Sequence, residues 1–354
     1  MSTTRLAIGP ANYAGQAHAW ASAVRTNLQV PAHSFNRGPV RRHEFRFETD
    51  REIPAPLFFA PLLRGRRMKR FLRGYTHVLL DGYTTFFQVP SRRDIAADVA
   101  FLRDAGFEVG LLAHGTDIRR PDQHMARNPH SYFLEGDQAW RDLRQRNADA
   151  ANAAAADAGV PLFVSTPDLL HDQPDATWVP VCVDPSGYRT QEPVMERLRP
   201  RVLHMPSKAV PPIKGTQYIE PVLRKLHDEG LIGFVSPPRL PHREVPALLA
   251  SVDVVVDQLL AASYGVTAVE AMATGRVTVA AVGRETCELM PEAPPLVDAT
   301  PEGFEAVIRE LVADRERARE LARRGVEFVN RWHDGRMSAD RLAPFLGVRP
   351  RGMA

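Results

Sequence analysis

Short apolar runs alternate with longer segments of helical period along most of the chain, and this alternation sets the expected fold class. Leu6–Gly9 is an apolar strand leading through Pro-Ala-Asn-Tyr-Ala-Gly into a helical stretch over about 16–25. A region rich in Pro and Arg follows and reads as irregular, apart from a basic helical segment near residue 70. Thr76–Leu80 is then a buried strand ending in Asp81-Gly82. Ile95, Val99 and Leu102 share one face of a helix over Asp94–Ala105, with Gly106 as its stop. The strand Val109–Ala113 runs into His114-Gly115-Thr116-Asp117, and an Ala-rich helix covers 137–158. Leu162–Ser165 and Trp178–Val183 are the last strands of this half.

The pattern breaks into Pro, Gly and polar residues over Pro185–Pro200, the expected hinge. It restarts with strand Arg201–His204, helix Thr216–Glu229, strand Ile232–Val235 and helix Glu244–Ser251. Strand Asp253–Val256, helix Val266–Ala273 and strand Val277–Val282 complete the series, and from Pro301 the tail is nearly all helix. Repeated strand–helix units predict parallel sheets covered on both faces. The fold class is therefore α/β, with two facing Rossmann-like domains and a helical C-terminal tail. The expected boundaries are 1–187 and 188–330, with a tail over 331–354 that crosses back to the first domain.

Composition narrows the classes. The 354 residues are 44% hydrophobic, which excludes wholesale disorder, and exceed the size of one ordinary core. No apolar run is long enough to span a bilayer, and Arg5–Gly9 reads as a strand rather than a secretory leader. Two distant cysteines, Cys182 and Cys287, make neither a disulfide framework nor a CxxC metal site. A cytoplasmic protein is the expectation. The net charge of +3 is a weak argument for nucleic acid, and no nucleic-acid partner is expected. More informative is the scarcity of lysine, with only Lys69, Lys208, Lys214 and Lys225 against 41 arginines.

In parallel sheets ligands sit beyond the carboxyl ends of strands, near helix starts whose N–H groups favour anions. Asp257–Arg276 begins just after a strand, so Asp257 and Gln258 lie at a sheet edge. Ser263-Tyr264-Gly265 then opens a helix in which the amides of Val266 and Thr267 point outward and Glu270 lies one turn further in. That pattern fits a phosphate site with a carboxylate for vicinal sugar hydroxyls; it equally fits a helix whose Gly eases packing and whose Glu is solvated. Pro206–Gly215 places Lys208 and Lys214 immediately before a helix, either as diphosphate ligands or as solvated loop lysines. His114 beside Asp117 offers a candidate catalytic pair at another strand end, or a structural loop histidine. There is no GxGxxG, GxxxxGK[ST], DxD, HExxH or GxSxG, so nicotinamide, P-loop, metal-dependent and serine-hydrolase chemistries are disfavoured, and neither metal nor cofactor is expected.

Taken together, these segments resemble the retaining GT-B glycosyltransferases of family 4. Ser263-Tyr264-Gly265-Val266 with Val269–Gly275 resembles the EGFG…LEAMAxGxPVV signature, and Pro206-Ser207-Lys208…Lys214-Gly215-Thr216 its basic residue and KG pair. His114–Asp117 resembles its HGSD motif, and Val164–Leu169 and Val179–Asp184 its hinge-proximal elements. The resemblance implies a GT-B architecture and transfer of a sugar from a nucleoside-diphosphate sugar to an acceptor on the first domain, with retention. It implies that Glu270 holds the donor ribose and that Lys214 and Lys208 hold the diphosphate, helped by the amides after Gly265. His114 is placed near the transferred sugar, Gly15 in the loop approaching the donor phosphates, and residues near Ser236–Arg239 beside the base.

The chain departs from the signature at its first glutamate, where Ala262 stands, and Asp257 or Gln258 is the candidate substitute. The alternative function is therefore a sugar-nucleotide-binding protein with little or no transfer. A GT-B-shaped epimerase ranks last, because no convincing set of carboxylates for proton chemistry is found. Arg64, Arg66, Arg67, Lys69, Arg70 and Arg73 cluster around Met68, Phe71 and Leu72. This segment is either a solvated helix with its apolar face in the core or a basic amphipathic helix resting peripherally on anionic membrane.

Overall fold

The computed structural model describes residues 4–38, 45–54, 64–86, 94–206, 211 and 213–350. The chain divides into two compact units, one comprising 1–120, 144–182 and 335–354, the other 121–143 and 183–334. The second unit thus takes in a short segment, 121–143, from within the first half of the sequence, and the end of the tail belongs to the first unit.

The first unit is built on seven parallel strands: β1 (Leu6–Gly9), β2 (Ala32–Arg37), β3 (Arg51–Ile53), β4 (His77–Asp81), β5 (Glu108–Ala113), β6 (Leu162–Val164) and β7 (Thr177–Trp178). Their order is β3-β2-β1-β4-β5-β6-β7. The second unit carries five parallel strands, β8 (Arg201–His204), β9 (Gly233–Val235), β10 (Val254–Val256), β11 (Val277–Ala280) and β12 (Val297–Asp298), in the order β12-β11-β10-β8-β9. These are the two parallel-sheet α/β domains expected from the alternation. Central strands such as β4, β10 and β11 are buried along their whole length, which is why they read as mainly apolar runs, unbroken in β10.

Two strands lie in the stretch that reads as irregular. β2 is written Ala-His-Ser-Phe-Asn-Arg, and its polar side chains are satisfied internally: Ser34 Oγ donates to Asp50, which also receives the Ser34 amide. A polar strand stabilised this way carries no alternating apolar signal. The strand expected over 178–183 stops at Trp178, and Pro180, which has no N–H to give a ladder, lies just beyond it. The Pro180 carbonyl serves other partners, accepting from Trp20 Nε1 at 2.9 Å and Ser338 Oγ at 2.7 Å.

The basic segment forms a helix over Arg64–Phe71. Met68 and Leu72 are fully buried, so the apolar side is spent on the core, while Arg66, Arg67, Lys69, Arg70 and Arg73 are exposed. A cavity of about 390 Å³ opens among Arg66, Lys69, Arg70 and Arg73, beside Tyr75 and Phe107. No helix among the described residues is long and apolar enough to cross a membrane.

In both units the strand order reverses beside the first strand, at β1/β4 and at β8/β10. At such a switch point the loops leaving two neighbouring strands diverge and open a crevice for a ligand. The tail helix Arg336–Leu342 packs in the first unit behind Gly335, whose φ is 92° and whose Cβ, if present, would lie 2.8 Å from Ala23 Cβ. Gly335→Ala combines a left-handed backbone with that overlap and is expected to cost about 1–3 kcal/mol, read as a lower urea midpoint. An unchanged midpoint would show that the tail does not press on the helix Gln16–Leu28.

Candidate functional site

In the second unit the loops after β8 and β10 meet at an ion pair between a half-buried lysine and a buried carboxylate. Lys214 Nζ lies 3.0 Å from Asp257 Oδ1 and 3.3 Å from Thr267 Oγ1. The other oxygen of Asp257, Oδ2, accepts the Gly265 amide at 2.9 Å. Asp257 therefore binds the lysine of one loop to the start of the helix Val266–Ala273. Gly265 has an ordinary extended φ of −104°, but a Cβ there would sit 3.3 Å from Asp257 Oδ2, so closeness rather than conformation favours glycine.

The Lys214-Gly215-Thr216 turn is pinned from below. The Leu259 amide donates to the Lys214 carbonyl at 3.0 Å. His204, fully buried at the end of β8, donates from Nδ1 to the Val256 carbonyl and accepts from Thr216 Oγ1 at Nε2, at 3.0 and 2.9 Å. Burial pushes the His204 imidazole from 6.5 down to about 4, and the nearby Lys214 charge adds to the shift. Burial thus keeps the ring neutral, and the neutral ring serves both partners, donating at Nδ1 and accepting at Nε2.

One turn along the same helix face from Thr267, Glu270 is only 3% exposed. Its Oε1 accepts the Tyr188 hydroxyl at 2.8 Å and His242 Nε2 at 2.5 Å. Burial, reinforced by the Glu270 charge, pushes the Tyr188 phenol well above its usual range, so the phenol stays a donor. The first amides of this helix, those of Val266 and Thr267, have no acceptor within the helix itself. Cation, helix-start amides and carboxylate thus lie along one edge of the sheet, and the arrangement suits an anionic group followed by paired hydroxyls.

The remaining expected residues have different environments. Gln258 donates from Nε2 to the Ser263 carbonyl at 2.7 Å, shaping the loop. Tyr264 is turned into the core, where its hydroxyl meets His333 Nε2 at 3.1 Å. Ser263 Oγ is buried without a hydrogen-bond partner among the described residues. Lys208 lies outside the described residues. Ala262, where the signature has its first glutamate, has a left-handed backbone with φ 49°.

The loop ahead of Ser263 is held by the segment 121–143. His124 Nε2 donates to the Ala261 carbonyl, while Asn128 Nδ2 and the Tyr132 amide both donate to that of Leu260. Tyr132 and Phe133 pack with Leu260 and Ala261 in a small buried cluster.

In the first unit, the candidate residues gather at the β1/β4 switch point. Asp81, at the end of β4, accepts the amides of Ala11 and Asn12 at 2.8 and 2.7 Å and fixes the loop that ends at Gly15, the N-cap of the helix Gln16–Leu28. His114 follows β5, edge-on to Tyr13 at 5.3 Å between ring centroids and tilted against Trp20 at 5.4 Å. Its Nε2 stands 3.7 Å from Asp81 Oδ2, beyond hydrogen-bond reach, and is a buried nitrogen without a partner among the described residues. Asp117 accepts the amides of His114 and Gly115 at 2.8 and 2.6 Å, so its carboxylate closes the turn that presents His114.

Sequence reasoning missed His204, Tyr188 and His242. His204 had a usable signal, a histidine at the carboxyl end of a buried strand. His242 lies just past the loop Ser236–Arg239 flagged near the base, and only the fold brings it to Glu270.

No protein-family profile matches the chain, and no curated protein matches it in sequence. Solved structures do match. The HepE protein of Anabaena, in complex with UDP, is 14% identical, with coverage of 97% of this chain and 99% of that one and a TM-score of 0.62. Sucrose-phosphate synthase from Thermosynechococcus elongatus is 15% identical, with coverage of 96% and 98% and a TM-score of 0.64. A UDP-N-acetylglucosamine 2-epimerase is 10% identical, with coverage of 98% and 96% and a TM-score of 0.55. At such identities the likeness is one of fold, and the fold is the GT-B architecture of two parallel-sheet α/β domains.

The His204 geometry has a measurable consequence. Between about pH 6.5 and pH 4 the unfolded chain binds a proton at this position that the folded chain refuses, so stability falls as pH drops through that window. The contribution is roughly 3 kcal/mol when complete. His204→Gln should flatten urea stability between pH 7 and pH 4.5; an equally steep loss in the variant would refute the assignment.

Proposed function

We propose that the chain is a GT-B glycosyltransferase of the family 4 type. In this reading it moves a sugar from a nucleoside-diphosphate sugar to an acceptor on the first unit, with retention and without a metal. The observation that carries this reading is the Lys214–Asp257 pair at the start of the helix Val266–Ala273, with Glu270 one turn on. HepE, similar in fold, is described in complexes with UDP and with UDP-glucose, which supports a nucleotide-sugar donor here.

As the glycosidic bond breaks, negative charge gathers on the departing diphosphate. Lys214 and the amides of Val266 and Thr267 are placed to stabilise that charge, which is greatest in the transition state. The departing phosphate assists attack by the acceptor on the same face of the sugar, which gives retention. His114, packed between aromatic rings and oriented by the Asp117-closed turn, is the polar group proposed near the transferred sugar. Electrostatic contact of Arg66, Arg67, Lys69, Arg70 and Arg73 with anionic membrane belongs to the same proposal; with Met68 and Leu72 buried, it does not involve insertion.

Lys214→Ala should lower turnover by roughly tenfold or more, the loss of about one charge-assisted contact to the leaving group. The assay is release of nucleoside diphosphate from a panel of UDP-, GDP-, ADP- and dTDP-sugars, with EDTA present to test metal independence. Donor binding without release, with and without candidate acceptors, would favour the alternative of a binding protein. Equal rates in wild type and variant would remove the diphosphate assignment. The membrane contact predicts pelleting with anionic but not neutral liposomes, abolished by about 0.5 M salt; no pelleting at low salt would end it.

A further inference from the structure

A buried carboxylate needs compensating hydrogen-bond donors. Among the described residues two side chains donate to Glu270, both on one oxygen: the Tyr188 hydroxyl and His242 Nε2 converge on Oε1, and neither uses Oε2. They come from separate elements. Tyr188 closes the short turn Pro185–Tyr188, which is capped by Asp184 accepting the Ser186 amide. His242 opens the turn His242–Glu244, beyond the loop that leaves β9. Tyr188 is buried, whereas the His242 side chain is 30% exposed and lies at the solvent side of the carboxylate.

We infer that Tyr188 and His242 are positioning residues that clamp Oε1 of Glu270 and so hold Oε2 for the vicinal hydroxyls of a bound ribose. This rests on the nucleotide-sugar reading above. Two donors on one oxygen fix the rotation of the carboxylate about its last torsion, which is otherwise broad. A fixed acceptor discriminates strongly against a ligand lacking the matching hydroxyl, whereas a rotating one adapts to either. Specificity for ribose over 2′-deoxyribose is therefore made by the Glu270 contact and sharpened by two residues that do not themselves touch the sugar.

The test is calorimetric titration of the full-length protein with UDP, GDP and ADP and the 2′-deoxy counterpart of each, using the pair whose ribo member binds best. Wild type is expected to prefer the ribonucleotide by about tenfold or more, and Glu270→Gln to lose most of that preference. Tyr188→Phe and His242→Ala should each compress it to about two- to threefold, mainly by weakening the ribonucleotide. His242→Gln, which keeps an N–H donor, should restore much of it. A purely structural role would weaken both nucleotides equally and leave the ratio intact. If wild type discriminates and Glu270→Gln does not, but both clamp variants retain the full ratio, the inference falls and the donor reading stands. Absence of nucleotide binding by wild type overturns both.

Discussion

The site hangs on one buried carboxylate. Asp257 has almost no contact with solvent, and its two oxygens go to partners on different loops, Lys214 Nζ and the Gly265 amide. Removing the Asp257 charge from water costs several kcal/mol, and such a carboxylate persists only when its hydrogen-bonding capacity is filled, here beside a lysine that keeps partial contact with solvent. The backbone at the start of the helix Val266–Ala273 donates to the carboxylate, and Thr267 Oγ1 accepts from the lysine. The strand order that sets β8 beside β10 makes this possible, because only neighbouring strands deliver their loops to one point. Sheet topology, ion pair and helix start are one construction.

That construction also shapes how an anion would be met. Lys214 is neutralised by Asp257 before any ligand arrives, so the site is not a bare positive patch. Under the proposed function, a diphosphate would have to draw the ammonium away from a carboxylate, with success that grows with the charge it carries. Lysine suits this exchange, since its ammonium is a point charge on a flexible stem with three donors, able to face two anions in turn. The charge on a leaving diphosphate is larger in the transition state than in the bound donor. Under the proposed function, competition with Asp257 would therefore favour the transition state over the ground state, which is what catalysis by binding requires.

The sheets were legible because parallel strands covered on both faces must be written in apolar residues. Val254–Val256 and Val277–Ala280 could hardly be read otherwise. β2 was not legible because its stability comes from Ser34 and Asp50, a pairing across a loop that no local period records. Lys214 and Asp257 were visible as residue types in loops after strands and Glu270 as a carboxylate one turn into a helix, but not the contacts each makes. That Asp257 grips Lys214, and that Tyr264 turns inward to His333, depend on which strands are neighbours and which way a helix rolls. The membership of 121–143 in the second unit had no signal at all, since its helices look like any other surface helices of the first half.

The same segment bears on the glutamate missing from position 262. Its residues hold the carbonyls of Leu260 and Ala261, and Thr286 Oγ1 donates to that of Ala262 at 2.8 Å. Three successive carbonyls are thus committed, and the chain reaches Ser263 through a residue with φ 49°. In that region any Cβ is strained, by roughly 1 kcal/mol for an alanine and no less for a longer side chain. The loop is therefore shaped by its backbone contacts, and a glutamate at 262 would start from an unfavourable backbone. Alanine is the residue this backbone carries at 262, and under the proposed donor reading a contact to the sugar would come from other groups, such as Gln258 or Asp257. Ala262 is consequently weak evidence for a reaction centre that has been lost.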